Sequence, residues 1–208
     1  LKFKDANYTI LATSTTGEDA ELKDYTYKSS VKFHQGHPDD VIQRYLDAVD
    51  LYDIDIVIRV TADMPYVSWE ITEYLLNKHF QSGADYTAAK QFSVGTSPEI
   101  VSVSALREVK RNFPNADYSE YMTWYFQNNK DHFKVNLVDL PSKYIRDYRL
   151  TVDYQEDLDM MNSLQKYLDE NMLSGDLTEI FKYLDENPEL VALNNHIGLT
   201  YKTDQSLI

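Results

Sequence analysis

An apolar, β-branched run ending on a carboxylate constrains this chain more than any other stretch: Ile54-Asp55-Ile56-Val57-Ile58-Arg59-Val60-Thr61-Ala62-Asp63-Met64-Pro65. Such a run reads as a buried strand of an open α/β sheet. It delivers an acid to the carboxyl edge, where sheets of this kind bind ligands. Arg149-Leu150-Thr151-Val152-Asp153 repeats the logic further along. Two strand-end carboxylates in one domain suggest a divalent cation on oxygen ligands, and with it phosphate chemistry.

Strands and helices alternate around these runs. Tyr8 to Thr13 reads as a short strand, followed by a helix to about Lys28 and a second strand from Val31 to Gln35. Gly36-His37-Pro38-Asp39-Asp40 reads as a turn with an acidic cap, opening a helix with Val41, Ile42, Tyr45, Leu46 and Val49 on its apolar face. Ser68 caps another helix, with Ile71, Leu75 and Leu76 inward. The alternation predicts an α/β fold, Rossmann-like, with an open, mostly parallel sheet and right-handed crossovers. From Asp85 the pattern changes. Strands at 85–89, 99–103 and 133–140 with helices at 104–111 and 117–129 predict a small inserted lobe over 85–147. The expected division of the single 1–208 domain is a nucleotide-binding half, 1–84, the lobe, a return strand with helices, 148–186, and an extension, 187–208.

At 208 residues the chain is long enough for one domain with a substantial core. Acidic residues outnumber basic ones 34 to 20, giving a formal charge of −14. That balance argues against nucleic acid as a partner and favours metal dependence for any phosphate-binding role. The absence of cysteine excludes a disulfide scaffold, a thiolate zinc site and a cysteine nucleophile. With no apolar run able to span a bilayer and no basic-then-apolar leader, the expectation is a soluble cytoplasmic protein without a membrane role. The five histidines (His34, His37, His79, His132, His196) show no metal-ligand spacing, and there is no G-x-S-x-G or G-x-G-x-x-G motif.

Four blocks resemble the cytidylyltransferase family that activates sugars, in particular its spore-coat polysaccharide branch, related to the CMP-Kdo and acylneuraminate synthetases. They are Leu11-Ala12-Thr13-Ser14, Gly36 to Tyr45, Arg59 to Pro65, and Arg149 to Leu158. Their order and spacing match over roughly residues 8 to 165. The resemblance implies attack of a sugar oxygen on the α-phosphate of CTP, with loss of pyrophosphate and formation of an activated sugar. It implies magnesium held by Asp63 and Asp153, base-edge contacts at Ala12 and Ser14, and Asp40 and Arg44 beside the nucleotide. Glu99 and Arg149 fall on the sugar side. The acceptor it implies is a sugar acid or a sugar phosphate. A homodimer is implied as well, with Tyr118, Tyr121, Trp124 and Tyr125 suited to the contact.

The sequence also departs from the family. Relatives open with a strand and a phosphate loop, L-x-x-R-x-x-S-x-R-L-P-G-K, which does not occur here. The chain starts where that first βα unit would have ended, so the expectation is either a preceding segment of roughly 40 residues, about one βαβ unit, or a protein lacking the loop. Ala62 stands where glycine is usual, and Ser119-Glu120-Tyr121-Met122-Thr123 where R-E-H-V-T is frequent. Simpler readings run alongside. Strand-end aspartates often cap turns, Asp39 and Asp40 suit a helix cap, and Arg44 suits a solvated helix face. A non-catalytic binding or assembly relative and a nucleotide-sugar-using glycosyltransferase are the alternatives.

Overall fold

The computed structural model describes residues 6–26, 30–115 and 121–198. Strand β1 (Thr9–Ser14) leads through a 3-10 segment (Glu18–Tyr25) to β2 (Val31–Gly36) and helix α1 (Val41–Tyr52). Asp40 caps α1 by accepting from the Gln43 amide at 2.9 Å, and the helix ends on Asp53 in the left-handed region. Strand β3 (Ile56–Arg59) is followed by α2 (Trp69–Ser82). Ser68 Oγ accepts from the Ile71 amide at 3.2 Å at its start, and Gly83 at φ 59° closes its end. Next come β4 (Tyr86–Ala89), β5 (Glu99–Ser102), α3 (Val103–Asn112), α4 (Thr123–Gln127) and β6 (Val135–Val138). The helical end comprises α5 (Gln155–Glu170), α6 (Leu177–Glu186) and α7 (Pro188–Val191).

The strands form two sheets. β1 and β2 pair in parallel, and β3, β5, β4 and β6 follow in that order in a second sheet. In the second sheet β4 and β6 are parallel, while β5 runs against both β3 and β4. The period-2 alternation divides the side chains between two cores. Tyr86, Ala88 and Val101 face one core with Ile42, Leu46, Leu106 and Phe126 from α1, α3 and α4. Ala89, Ile100 and Val138 face the other with Ile71 and Leu75 of α2, Met160 and Leu164 of α5, and Ile180 and Phe181 of α6. Each fully buried aliphatic side chain contributes roughly 1.5–3 kcal/mol, so this helix–sheet–helix layering carries the fold. The expected α/β architecture with a helical C-terminal end is what forms.

Several local expectations are corrected. Arg149 to Asp153 is not a strand: among the described residues it makes one isolated bridge, Val94 to Arg149. The helix expected at 117–129 is confined in its described part to α4, and residues 116–120 lie outside the described residues. β4, β5 and β6, predicted for the inserted lobe, share a sheet with β3. Trp124 and Tyr125, expected at a dimer contact, are 8% and 3% exposed and pack within their own subunit, while Tyr118 lies outside the described residues. Among the described residues, no helix is long and apolar enough to cross a membrane.

His79 of α2 is a buried structural histidine. Its ring nitrogens meet Thr87 Oγ1 at 2.9 Å and Ser102 Oγ at 3.2 Å, tying α2 to β4 and to the end of β5. Burial holds its pKa below the ordinary value, so the folded protein keeps it neutral where an unfolded chain would protonate it. The resulting stability is present above the unfolded pKa of about 6.5 and is lost as pH falls below it. Denaturant midpoints measured from pH 7.5 to 5.5 are expected to decline, by at most about 1.4 kcal/mol per pH unit for this one proton. His79→Gln is expected to flatten that slope.

Candidate active site

The turn that leaves β3 carries Asp63, with the Met64 amide donating to Thr61 O at 3.2 Å. The Asp63 carbonyl accepts from the Val152 amide at 2.9 Å and from Thr151 Oγ1 at 3.2 Å. Thr151 Oγ1 also lies 3.2 Å from Asp63 Oδ2. Asp63 Oδ1 is buried and has no hydrogen-bond partner. The two acid-bearing segments, distant in sequence, are therefore joined backbone to backbone, with Asp153 one residue beyond the contact. A buried carboxylate oxygen without a donor is costly unless a cation completes it. Among the described residues no group of three or more metal-ligating side chains gathers as a ready cage. The oxygen donors offered are those of two carboxylates.

The loop between β4 and β5 braces both segments. Leu150 donates to Val94 O at 2.7 Å, and Val94 donates to Tyr148 O at 3.0 Å. Ser93 Oγ donates to Arg146 O at 2.7 Å, and Ser68, just after the Asp63 turn, donates to Thr96 O at 2.8 Å. Ser93, Thr96 and Ser97 are all buried. Gly95 sits at φ 85°, and a Cβ there would lie 2.1 Å from Leu150 O. Sequence reasoning missed this loop; its signal is the small-residue run Ser93-Val94-Gly95-Thr96-Ser97 between two strand patterns.

Arg149 does not extend toward solvent. Its side chain is 5% exposed and donates to Asp157 Oδ1 at 2.8 Å, Asp157 Oδ2 at 3.0 Å and Asp153 Oδ2 at 2.6 Å. Asp157, another residue not singled out from sequence, is fully buried. It also accepts from the amides of Asp153 and Tyr154, each at 3.0 Å. Burial acts to raise the Asp157 carboxyl, but the Arg149 guanidinium, the two amides and Asn194 bring it down to about 2.

Glu99 opens β5 opposite Arg59 at the end of β3, so antiparallel pairing puts both at the edge from which the Asp63 turn departs. Its oxygens accept from Arg59 Nη1 at 2.6 Å and Tyr86 Oη at 2.5 Å, and Gln127 Nε2 donates to Tyr86 Oη at 3.0 Å. Burial, and then the Glu99 charge, pushes the Tyr86 phenol well above its ordinary range. Arg59 Nε is buried without a partner.

The remaining predicted residues lie on the smaller sheet and α1. Ala12 and Ser14 end β1, where Ser14 Oγ donates to Asp19 Oδ2 at 2.5 Å and Thr13 Oγ1 donates to the same oxygen at 2.9 Å. Asp40, besides capping α1, pairs with Lys110. Arg44 donates to His37 O at 2.7 Å and Pro38 O at 2.7 Å. It holds the turn beside Gly36, where an added Cβ would lie 2.6 Å from Arg44 Cγ. The structure thus brings Asp63, Asp153 and Arg149 together and leaves Ala12, Ser14, Asp40 and Arg44 as a second group. Two open clefts of about 440 Å³ adjoin the bracing loop, one lined by Lys143, Arg146 and Asp185, the other by Lys90, Phe92, Val94 and Asp147.

Comparison with known proteins gives a consistent picture. A sequence model described as cytidylyltransferase matches residues 1–195. An uncharacterized protein of Methanocaldococcus jannaschii is 30% identical, covering 94% of this chain and 80% of the relative. The spore coat polysaccharide biosynthesis protein SpsF of Bacillus subtilis is 27% identical, covering 89% of this chain and 78% of its own length. Among solved structures, a cytidylyltransferase from Leptospira borgpetersenii superposes with a TM-score of 0.77 at 25% identity, covering 93% of this chain and 80% of that one. A 4-diphosphocytidyl-2C-methyl-D-erythritol synthase from Anaerococcus prevotii shares the fold, with a TM-score of 0.56 at 14% identity over 79% of this chain and 81% of that one.

Proposed function

The chain belongs to the cytidylyltransferase family, and on that premise we propose that it joins CTP to a sugar acid, with magnesium held by Asp63 and Asp153. Family membership makes it a nucleotidyltransferase. The product is a CMP-sugar, and the name of the Bacillus subtilis relative supports a place in polysaccharide or glycan biosynthesis. The observation that carries the cation reading is the buried, unpartnered Asp63 Oδ1, beside a segment that supplies a second carboxylate. These residues fit a hard cation with oxygen ligands that keeps open positions for phosphate.

In the reaction a sugar hydroxyl oxygen forms a bond to the α-phosphorus as the bond from that phosphorus to the β-phosphate bridging oxygen breaks. Pyrophosphate leaves with the bonding pair, and the hydroxyl proton passes to solvent. Magnesium bound at these carboxylates would supply charge neutralisation for the approaching and departing oxygens. Asp63 and Asp153 hold that site by their fixed backbones. The ends of β1 and α1, with Ser14, Ala12, Asp40 and Arg44, line the nucleotide side. Arg44 fixes the 37–38 turn there through Nε and Nη2. Glu99, braced by Arg59 and Tyr86, presents the sugar side.

Thermal unfolding with each nucleoside triphosphate, with and without magnesium, tests the donor. CTP at a hundred times its dissociation constant is expected to add about 2.7 kcal/mol, or roughly 5–11 °C for a chain of this size, only when magnesium is present. Pyrophosphate release with 2-keto-3-deoxy sugar acids but not with sugar 1-phosphates is the expected acceptor result. Release with sugar 1-phosphates alone overturns the acid acceptor, and a magnesium-independent shift overturns the cation.

A further inference from the structure

We propose that Asp157 and Asn194 are positioning residues that set, through Arg149, how Asp153 presents its carboxylate to a divalent cation. The inference rests on the reading of Asp63 and Asp153 as cation ligands. It starts from a missing element. Asp153 lies on no strand, so the ladder hydrogen bonds that would fix its direction are absent, and side chains fix it instead.

Asp157 supplies most of that restraint. One of its oxygens accepts the amides of Asp153 and Tyr154, which holds the backbone on which the Asp153 side chain pivots. Its two oxygens together take Nε and Nη2 of Arg149, and the same Nη2 reaches Asp153 Oδ2 at 2.6 Å. A buried guanidinium held by Nε and Nη2 on one buried carboxylate cannot follow Asp153 outward. Asp153, at 45% side-chain exposure, is therefore held by one oxygen and leaves Oδ1 directed away from that bond. One guanidinium against two carboxylates also leaves a net negative charge in the cluster, which a cation can offset. Without the grip of Asp157, Arg149 would pair with Asp153 alone and neutralise it.

Asn194 closes the network from the far end of the chain. It is 1% exposed and lies just past α7. Its Nδ2 donates to Arg149 O at 3.0 Å and to Asp157 Oδ1 at 2.9 Å, pinning the arginine backbone and its main partner together. Capping α5 requires only the two amides. The arginine and the asparagine add a buried ion pair and a buried amide, groups that contribute little net stability but fix geometry. Residues that orient ligands in this way commonly change metal affinity by 10–100-fold when removed.

The test is an Mn2+ titration of the full chain, with free ion followed by electron paramagnetic resonance. Unfolding in chelator runs in parallel to confirm that each variant is folded. Asn194→Ala is expected to weaken Mn2+ binding about tenfold. Asn194→Asp, which sets a second carboxylate against Asp157, is expected to weaken it further. Either variant serves if the other does not fold, because both remove the donor to Asp157. Mn2+ affinity within twofold of wild type in these variants, with binding lost in Asp153→Asn, overturns the positioning role and leaves the cation reading intact. Equal Mn2+ binding by wild type and Asp153→Asn, or none by wild type at millimolar ion, overturns both.

Discussion

Asp63→Ala is expected to lower turnover about a thousandfold while raising the melting temperature of the unliganded protein. On the proposed assignment, the loss follows from removing a carboxylate that would hold the cation at the reacting phosphate, and a thousandfold corresponds to about 4 kcal/mol of transition-state stabilisation. The gain follows from Asp63 Oδ1, which is buried with no donor. An orphaned polar atom of this kind costs about 1–3 kcal/mol, and alanine removes it. Thr151 Oγ1 keeps a partner in the variant, because it also reaches the Asp63 carbonyl at 3.2 Å. Relief of about 1 kcal/mol corresponds to roughly 2–4 °C. Scanning calorimetry in chelator and steady-state pyrophosphate release check the two halves separately. A fall of several degrees would mean that the carboxylate holds the fold together, and the functional assignment would lose its main support.

Gly95→Ala carries the second large effect, and here stability and activity are expected to fall together. The φ of 85° disfavours any side chain, and the new Cβ would sit 2.1 Å from the Leu150 carbonyl oxygen. The methyl group cannot be accommodated by rotating a flexible side chain, because its neighbour is backbone. Either the 93–97 loop shifts or the 149–151 segment does. Both movements break the mutual bonds of Val94 with Tyr148 and Leu150. A cost of about 3–5 kcal/mol is expected, in the range reserved for strained or overpacked sites, or roughly 6–20 °C in melting temperature. The surviving folded fraction is expected to turn over slowly, since Asp153 follows Leu150 by three residues. Denaturant titration and assays well below the new melting point separate the two effects.

Local signals carried much of the architecture. The run into Asp63 reads as a strand with an acid beyond its end because β-branched packing and the turn at Thr61 are written in consecutive residues. Asp40 reads as a cap for the same reason: its partner is the amide three positions on. Arg149 to Asp153 has the same apolar pattern as a strand, yet its partners are a helix carboxylate and the buried Asn194, 45 residues from Arg149. No periodicity encodes such pairs. Glu99 was legible as a polar residue at a strand start, but its partner Arg59 depends on the register of β3 against β5. Gly95 was invisible as a functional residue because its importance lies in what its missing side chain would strike.

Holding Asp153 by side chains has a consequence for how such a site can change over time. A side chain on a strand is tied to a two-residue alternation, and slipping by one position sends it to the opposite face. Asp153 escapes that rule. Its location is the sum of several separate contacts, from Val94, Asp157, Arg149 and Asn194, each contributed by a different segment. Altering any one of them acts on the carboxylate without a change of strand register. The acid on the β3 turn supplies a fixed reference, and the acid on the side-chain scaffold supplies fine adjustment. A site built this way can be retuned for a differently sized acceptor by substitutions at buried polar positions, with the central sheet left untouched.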